Sequence, residues 1–169
     1  MIFKIIVAHD LQSGIGKDNS LPWNFPEDLK RFSQLTRGKG NNAIVMGKNT
    51  WESLPKKPLP KRDNLILSST LDLEMGEPKN NYVKTFRDIM SLDKFCEKQK
   101  YDTVWIIGGS NVYEQFLEHV RLKQIYLTRI HKKYDCDTRF PDISSWPIQV
   151  AETIFTEPIT IEYMLYGKN

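Results

Sequence analysis

Residues 103–117, TVWIIGGSNVYEQFL, contain the pattern that decides the fold. Residues 103–107 form a short run of β-branched, aromatic and aliphatic side chains that is almost continuously apolar, as a strand covered on both faces requires. Gly108 and Gly109 interrupt the run, and Val112, Phe116 and Leu117 then recur at helical spacing. An apolar strand that leads through a tight turn into an amphipathic helix is typical of a parallel sheet covered by helices.

The same alternation recurs along the chain. Strand-like runs occupy residues 2–8, 43–46, 64–67 and 124–130, and helical patterns occupy residues 24–36, 86–99 and 111–119. In the last third, residues 149–156 and 159–166 are two consecutive strand-like runs around Glu157 and Pro158. They predict an antiparallel pair that closes the sheet. The pattern therefore predicts an α/β fold with a mostly parallel sheet.

Length and composition favour one soluble domain. The chain has 169 residues and 40% hydrophobic content, enough to bury a large core, and it has no apolar run long enough to span a bilayer. The net charge is +3, with basic and acidic residues interleaved, so a nucleic-acid surface is not indicated, whereas a small anionic ligand is possible. Cys96 and Cys136 lie far apart without metal-ligand spacing, which favours a reducing cytoplasm and no metal site.

One carboxylate lies on the apolar side of the helix predicted at residues 24–36. Pro26 suits its first position, and Phe25, Leu29, Phe32 and Leu35 share one arc. Asp28 falls inside this arc, where burial raises its pKa and favours a partner. Glu27 lies on the opposite side and is expected to pair with Arg31. Asp28 could instead serve the helix N-terminus or pair with a distant base.

Three glycine-containing loops follow strands. They are GIGKDNSLPW at residues 14–23, MGKNTW at residues 46–51 and IIGGSNVY at residues 106–113. In the second and third, a glycine at a strand end precedes a helix start, an arrangement that can hold a phosphate. Two such loops in one small domain suggest a pyrophosphate. Neither matches the common dinucleotide or P-loop fingerprints.

Taken together, these segments resemble the dihydrofolate reductase family. The matching segments, in order, are IVA (6–8), GIG (14–16), LPWNFPEDLKRF (21–32), VMGKNTWESLP (45–55), PLPKRDNLILS (58–68), VWIIGGSNVYEQFL (104–117), IYLTRI (125–130) and CDTRFPD (136–142). The resemblance implies a single domain over residues 1–169, with a doubly wound, mostly parallel sheet, an antiparallel C-terminal strand and helices on both faces. It also implies the NADPH-dependent reduction of 7,8-dihydrofolate to tetrahydrofolate.

The resemblance assigns the acid and the substrate slot. Asp28 matches the family's essential acid, which holds the pterin and favours its protonation through a water near Trp23. Thr128 matches the threonine that orients this acid, and Tyr113 is grouped with the catalytic residues. Arg62 matches the arginine that clamps the carboxylate of the glutamate tail, although its local sequence equally fits a surface base beside Lys61. The residues implied to line the slot are Ile6, Val7, Ala8, Leu29, Phe32, Leu59 and Ile107.

The cofactor residues are likewise implied by the resemblance. Ala8, Ile15, Ile107 and Tyr113 would surround the nicotinamide, and Leu21 would cover it. The complete implied set is Ala8, Ile15, Gly16, Leu21, Gly47, Lys48, Asn49, Thr50, Leu67, Ser68, Ser69, Ile107, Gly108, Gly109, Ser110, Asn111, Val112 and Tyr113.

The chain departs from the common family pattern at several positions. Ser69 and Asn111 stand where many members carry bases, which leaves Lys48 as the main charge for the 2′-phosphate. His9 and Asp10 replace small or apolar residues, and His9 is interpreted as a packed surface residue.

The resemblance also implies partners, and two alternative functions stand beside it. Dihydrofolate and antifolate-type ligands are the implied small-molecule partners. The segments IGGS and KQIYLTRI resemble members fused to thymidylate synthase, so the chain is either free-standing or part of a bifunctional protein. Two alternatives remain: a pyrimidine reductase of related fold, disfavoured by Asp28, and a non-catalytic folate- or nucleotide-binding module.

Overall fold

The secondary structure consists of eleven strands and four helices in the described part of the chain. The computed structural model describes residues 1–18, 20–156 and 158–168, so Glu157 of the predicted C-terminal turn and Asn19 of the first glycine loop lie outside the described residues. The strands are β1 (Ile2–His9), β2 (Gly14–Gly16), β3 (Asn42–Gly47), β4 (Asp63–Leu67), β5 (Glu74–Glu77), β6 (Asn80–Phe86), β7 (Thr103–Gly108), β8 (Leu122–Ile130), β9 (Thr138–Arg139), β10 (Ile148–Thr156) and β11 (Ile159–Gly167). The helices are α1 (Pro26–Arg37), α2 (Lys48–Ser53), α3 (Ile89–Gln99) and α4 (Ser110–Leu117).

Nine strands form one sheet in the order β10-β11-β8-β1-β7-β3-β4-β6-β5. β1 pairs in parallel with both β7 and β8, and β3, β4 and β6 extend the parallel part. β11 pairs antiparallel with β8, and β10 pairs antiparallel with β11. The predicted mostly parallel sheet with antiparallel C-terminal strands is confirmed.

The helices cover both faces of the sheet. On one face, Leu92 of α3 and Phe116 of α4 pack with Phe3 and Ile5 of β1. On the other face, Phe32 of α1 joins a cluster formed around strand residues and Trp51 of α2. Since successive side chains of a strand point to opposite faces, the nearly continuous apolar runs supply both cores. The doubly wound arrangement is therefore confirmed.

The predicted start of the second helix was wrong. The helix predicted from residue 86 begins at Ile89, because Asp88 caps it by accepting a hydrogen bond from the Ser91 N–H at 2.8 Å. Phe86 instead ends β6, paired with Leu67 of β4. The sequence did not reveal β5 and β6, since β5 is exposed throughout and β6 mixes polar residues with its buried Tyr82, Val83 and Phe86, so neither has the continuous apolar run of the central strands.

A buried asparagine shapes the loop that precedes β4. Asn64 is fully buried, accepts a hydrogen bond from the Leu59 N–H and donates to the carbonyl oxygens of Leu59 and Arg62, all at 2.9 Å. Buried amides must satisfy both ends, so these three bonds fix residues 59–62 against the sheet. Leu59 and Arg62, both implied to contact the substrate, are thereby held in place.

We expect Asn64→Ala to reduce the free energy of unfolding by about 2–3 kcal/mol, because it leaves buried backbone groups without partners. Urea denaturation at neutral pH measures the loss. Asn80→Ala, an exposed asparagine at the start of β6, is the matched control and should change stability by less than about 0.5 kcal/mol. Equal effects of the two substitutions would contradict the role of Asn64.

Candidate active site

The carboxyl ends of the central parallel strands form the site. After β1 the chain crosses to β3 on one side, and after β7 it crosses to β8 on the other side. Such a change of direction opens a crevice at the strand ends, where open α/β sheets bind ligands. Gly47 at the end of β3 and Gly108 at the end of β7 lie on neighbouring strands, with Met46 paired to Gly108. The second and third glycine loops are thus brought together.

Gly108 is required by its backbone and by Tyr113. Its φ is +124°, a conformation that side chains disfavour, and a Cβ there would lie 3.3 Å from the Tyr113 hydroxyl oxygen. The peptide between Gly108 and Gly109 is cis. Tyr113 is buried, and its hydroxyl donates a hydrogen bond of 2.9 Å to the carbonyl oxygen of Ile6. Burial raises the pKa of Tyr113, which therefore remains a neutral donor that ties α4 to β1.

The starts of α2 and α4 lie side by side. A Cβ on Gly47 would come within 3.2 Å of Val112, and a Cβ on Gly109 would be 3.7 Å from the Thr50 hydroxyl oxygen. Both helices have a glycine as N-cap residue and no side-chain cap. Their first-turn N–H groups are therefore not occupied by a capping side chain. This pair of helix starts fits the two phosphates of a dinucleotide.

The side chains predicted around the phosphates differ in whether they already have hydrogen-bond partners within the protein. Lys48 lies 3.4 Å from the Thr70 hydroxyl oxygen and 4.0 Å from Glu52, while Asn49 and Ser69 are exposed. The Ser68 hydroxyl accepts hydrogen bonds from the N–H groups of Thr70 and Leu71. Ser110 donates to the Arg139 carbonyl oxygen, and Asn111 accepts from Gln115. Lys48 is thus the cationic side chain among the residues predicted to surround the phosphates.

Asp28 lies half-buried on the first turn of α1 and faces β8. Its Oδ1 accepts a hydrogen bond of 2.8 Å from the Thr128 hydroxyl. Burial raises the pKa of Asp28, while the Thr128 hydroxyl and the nearby Arg31 guanidinium oppose that rise. The structure thus brings together Asp28 and Thr128, which are 100 residues apart in the sequence. Trp23, five residues before Asp28 in the sequence, is buried, and the centre of its ring lies 5.2 Å from that of Tyr134.

The residues predicted to line the substrate slot do not all face it. Ile6, Phe32, Leu59 and Ile107 belong to or pack against the core cluster on the α1 side. The Val7 side chain belongs to the opposite cluster, because consecutive strand residues point to opposite faces, so its predicted lining role would fall to its backbone. The apolar arc predicted that Leu29 packs into the core, but the side chain is 53% exposed. Its exposure on the same helix turn as Asp28 is compatible with a ligand-facing position.

The residues predicted around the nicotinamide ring differ in how deeply they are buried. Ile15 packs against the cluster on the α3 and α4 side, whereas Leu21 is 52% exposed. Ala8 and Leu67 are half-buried at the ends of β1 and β4, and Gly16 pairs with Thr138. Leu21 was predicted to cover the cofactor, a role that its exposure permits. Ile15, in contrast, is held by apolar contacts with the protein's own core.

Arg62 is buried at 5% exposure and is not the surface base that its local sequence equally allowed. Its Nε donates to the Pro60 carbonyl oxygen at 2.9 Å, and its Nη1 donates to the Thr36 hydroxyl at 2.8 Å. Burial, together with the charge of Arg37, lowers the pKa of Arg62 to about 10, so it remains charged at neutral pH. Nη2 has no hydrogen-bond partner among the described residues, which leaves it available to an anion.

Asp10, which the sequence placed at an ordinary loop start, anchors the first glycine loop. It is 1% exposed and accepts hydrogen bonds from the N–H groups of Gln12, Gly14 and Tyr134 at 2.7–2.9 Å. Burial alone would raise the pKa of Asp10, but these three backbone donors outweigh it and lower the pKa. His9 is buried beside it, not at the surface as predicted. The local signal was only an acid after a strand, and its partner Tyr134 could not be read from the sequence.

The expected pairing of Glu27 with Arg31 was wrong. Among the residues that the structure describes, these two side chains form no ion pair, and the Arg31 guanidinium carbon lies 4.0 Å from the ring centre of Tyr163 on β11. An exposed i,i+4 ion pair contributes only a few tenths of a kcal/mol, so the guanidinium of Arg31 is held instead by the partly buried face of the Tyr163 ring.

The described residues show neither a metal centre nor a membrane-spanning helix. They contain no group of three or more His, Cys, Asp or Glu side chains that could hold a metal ion. None of their helices combines the length and the apolar character needed to cross a membrane.

Comparison with known proteins identifies the family of the chain. The profile of the dihydrofolate reductase family matches residues 2–165. The chain is 40% identical to a dihydrofolate reductase of Drosophila melanogaster, over 99% of this chain and 98% of that protein. It is 37% identical to a dihydrofolate reductase of Haemophilus influenzae, over 90% of this chain and 88% of that protein. It is also 34% identical to a bifunctional dihydrofolate reductase-thymidylate synthase of Arabidopsis thaliana, over 85% of this chain but only 27% of that protein.

The fold and the site define a doubly wound α/β oxidoreductase that uses a nicotinamide cofactor. Since the profile covers nearly the whole chain and full-length relatives exceed 30% identity, the chain belongs to the dihydrofolate reductase family and is an enzyme of that type.

We expect Asp10→Asn to reduce the free energy of unfolding at neutral pH by about 1.5–3 kcal/mol, because a charged acceptor of three N–H groups is replaced by a neutral amide. The native pKa of Asp10 is lowered, so its carboxylate stabilises the fold above the unfolded pKa, and this contribution is lost as the pH falls through the native pKa. The difference between the parent and Asp10→Asn should therefore shrink below about pH 4. Urea unfolding across pH measures it, and a pH-independent difference would contradict the assignment.

Proposed function

We propose that this enzyme reduces 7,8-dihydrofolate to 5,6,7,8-tetrahydrofolate with NADPH as the hydride donor. The observation that carries the proposal is Asp28, a half-buried carboxyl with a raised pKa that is oriented by Thr128. It lies on a helix beside the crevice at the strand ends. Carboxyls whose pKa is shifted by burial and by a specific partner cluster at functional sites, where they bind charged groups or transfer protons.

The nicotinamide of the cofactor, when bound, supplies the hydride. The residues present fit such a dinucleotide, since Gly47 and Gly109 allow α2 and α4 to start side by side without capping side chains. Lys48, at the start of α2, would contact the 2′-phosphate that distinguishes NADPH from NADH. The protein's contribution to the transfer is placement of cofactor and substrate.

Asp28 would hold the substrate by its amino group and a ring nitrogen. The carboxylate can accept both of these N–H groups, and the Thr128 hydroxyl fixes the orientation of its Oδ1. Once a pterin is protonated, the ionised Asp28 balances its positive charge in surroundings that are partly shielded from water. Phe32, which packs on the adjacent core, would supply a flat apolar wall for the pterin ring.

Arg62 would hold the carboxylate of the glutamate tail. Its two internal hydrogen bonds fix the guanidinium, and Nη2 remains for a charge-assisted bond to the ligand. A fixed fork loses little freedom on binding, which is why a buried arginine suits this position better than a flexible lysine.

The cellular setting forms part of the same proposal. Cys96 and Cys136 are free thiols, which suits a reducing compartment, and we place the enzyme in the cytoplasm. Antifolate-type ligands would occupy the same slot as dihydrofolate. Because relatives of Arabidopsis thaliana and Plasmodium chabaudi are named bifunctional dihydrofolate reductase-thymidylate synthases, linkage to a thymidylate synthase domain is a further proposal.

We expect Asp28→Asn to retain the fold but to lower kcat at pH 7 by about 10²-fold or more, because an amide cannot balance the charge of a protonated pterin. The loss of NADPH absorbance with dihydrofolate measures the rate. Glu27→Gln, the exposed neighbour on the same turn, is the control and should resemble the parent. Parent-like turnover by Asp28→Asn would remove the assigned role. A parent protein that binds both ligands without turnover would instead be a binding module.

We expect Lys48→Ala to narrow the preference for NADPH over NADH by about tenfold or more, because it removes a charge-assisted contact to the 2′-phosphate. The measurement is the ratio of kcat/KM values for the two cofactors. Lys56→Ala, which removes an exposed lysine beyond α2, controls for net charge. If both variants keep the parental ratio, another residue recognises the 2′-phosphate.

A further inference from the structure

Arg31 occupies an unusual position beside the acid of the site. Its guanidinium carbon lies 4.0 Å from the ring centre of Tyr163 on β11 and 6.0 Å from that of Tyr126 on β8. A guanidinium over an aromatic face is attracted by the ring and loses little of its hydration. The side chain is half-buried and forms no ion pair within the described part of the chain. It is therefore directed at the sheet and not at Glu27.

The sheet register places Tyr163 next to the acid. Tyr163 of β11 is directly opposite Thr128 of β8, and the Thr128 hydroxyl donates to Asp28. Arg31 follows Asp28 by three residues on α1, so their side chains are neighbours on the helix surface. The four residues come from α1, β8 and β11, and the ring of Tyr163 holds the Arg31 guanidinium on the side of the sheet where Thr128 binds Asp28. We refer to Asp28, Arg31, Thr128 and Tyr163 as the acid cluster.

The charges around the acid cluster come from several elements. Glu27 lies on α1, and Glu152 of β10 is directly opposite Tyr163. Lys4 of β1 lies over Trp105 and Tyr126, at 5.4 Å and 5.5 Å from their ring centres. Lys30, on α1, is exposed. Arg31 is the cation of α1 that the aromatic rings of β8 and β11 hold toward the sheet.

We propose that Arg31, held on the ring of Tyr163, is a positioning residue that sets how readily Asp28 takes up a proton. The cation favours the ionised carboxylate, whereas burial favours the neutral acid. The balance between them fixes the fraction of Asp28 that is charged when a substrate arrives. The consequence for catalysis rests on the proposed function, but the effect on Asp28 itself does not.

The test is an NMR titration of the Asp28 carboxyl carbon in the ligand-free protein, with the signal assigned by its loss in Asp28→Asn. We expect Arg31→Gln to raise the pKa of Asp28 by about half a unit to one unit, since an opposite charge nearby shifts an acid by about one unit or more and partial exposure reduces this. Lys30→Gln is the matched control, with the same change of charge on the same helix. It should leave the titration of Asp28 unchanged.

Three more variants separate charge from packing. Arg31→Lys keeps the charge and should recover most of the parental pKa. Tyr163→Phe keeps the aromatic face and should also resemble the parent, whereas Tyr163→Leu frees Arg31 and should shift Asp28 in the direction of Arg31→Gln. Equal titrations in Arg31→Gln and the parent, or equal shifts in Arg31→Gln and Lys30→Gln, would overturn the proposal.

A kinetic readout connects the acid cluster to the reaction. If protonation at the site assists hydride transfer, kcat/KM for dihydrofolate falls as the pH rises through the pKa that Asp28 governs. The midpoint of this fall should move to higher pH in Arg31→Gln and stay in place in Lys30→Gln. An NMR shift without turnover in any variant would leave the role of Arg31 intact and remove the proposed function, whereas turnover with no NMR shift would do the opposite.

Discussion

The parallel pairing of β1 with both β7 and β8 is the constraint on which the rest of the structure depends. Because β1 has neighbours on both sides, the chain must cross to β3 in one direction and approach β8 from β7 in the other. The two crossovers leave a crevice at the carboxyl end of β1. On one side of it α2 and α4 begin next to each other. On the other side, Asp28 of α1 lies within hydrogen-bond distance of Thr128 on β8.

Two buried charged groups and one half-buried charged group in this region offset the cost of burial in different ways. Asp10 accepts three backbone N–H groups, so its charge is fully satisfied inside the protein. Arg62 spends part of its donor capacity on Pro60 and Thr36 and keeps Nη2. Asp28 receives one hydroxyl donor and retains a raised pKa. A charge that the fold satisfies completely is structural, whereas one that is satisfied in part is suited to a ligand.

The phosphate region depends on backbone more than on side chains. The glycines at the ends of β3 and β7 allow two helices to start within contact distance, and Tyr113 fills the space that a side chain on Gly108 would need. Its hydroxyl bond to Ile6 joins α4 to β1, so the cofactor region and the substrate region share one rigid support. Placement of two ligands against each other requires such rigidity.

Apart from β6, the sequence by itself determined the succession of strands and helices along the parallel part of the sheet, and it also determined the antiparallel end and the family. It also showed Asp28 as an acid on an apolar arc, because helical periodicity depends only on local spacing. The tertiary structure decided which partners the charged groups have. Tyr134 for Asp10 and Tyr163 for Arg31 are distant in the chain, and the Arg31 case reversed a local prediction. Thr128 was implied as the partner of Asp28 by the family resemblance and not by local spacing. Likewise, the strand register placed the Val7 side chain in the core cluster on the α3 and α4 side, and the edge strand β5 and its neighbour β6 formed without a continuous apolar run. Local rules describe neighbours three or four residues apart, whereas contacts across a sheet depend on register and crossover, which only the assembled chain fixes.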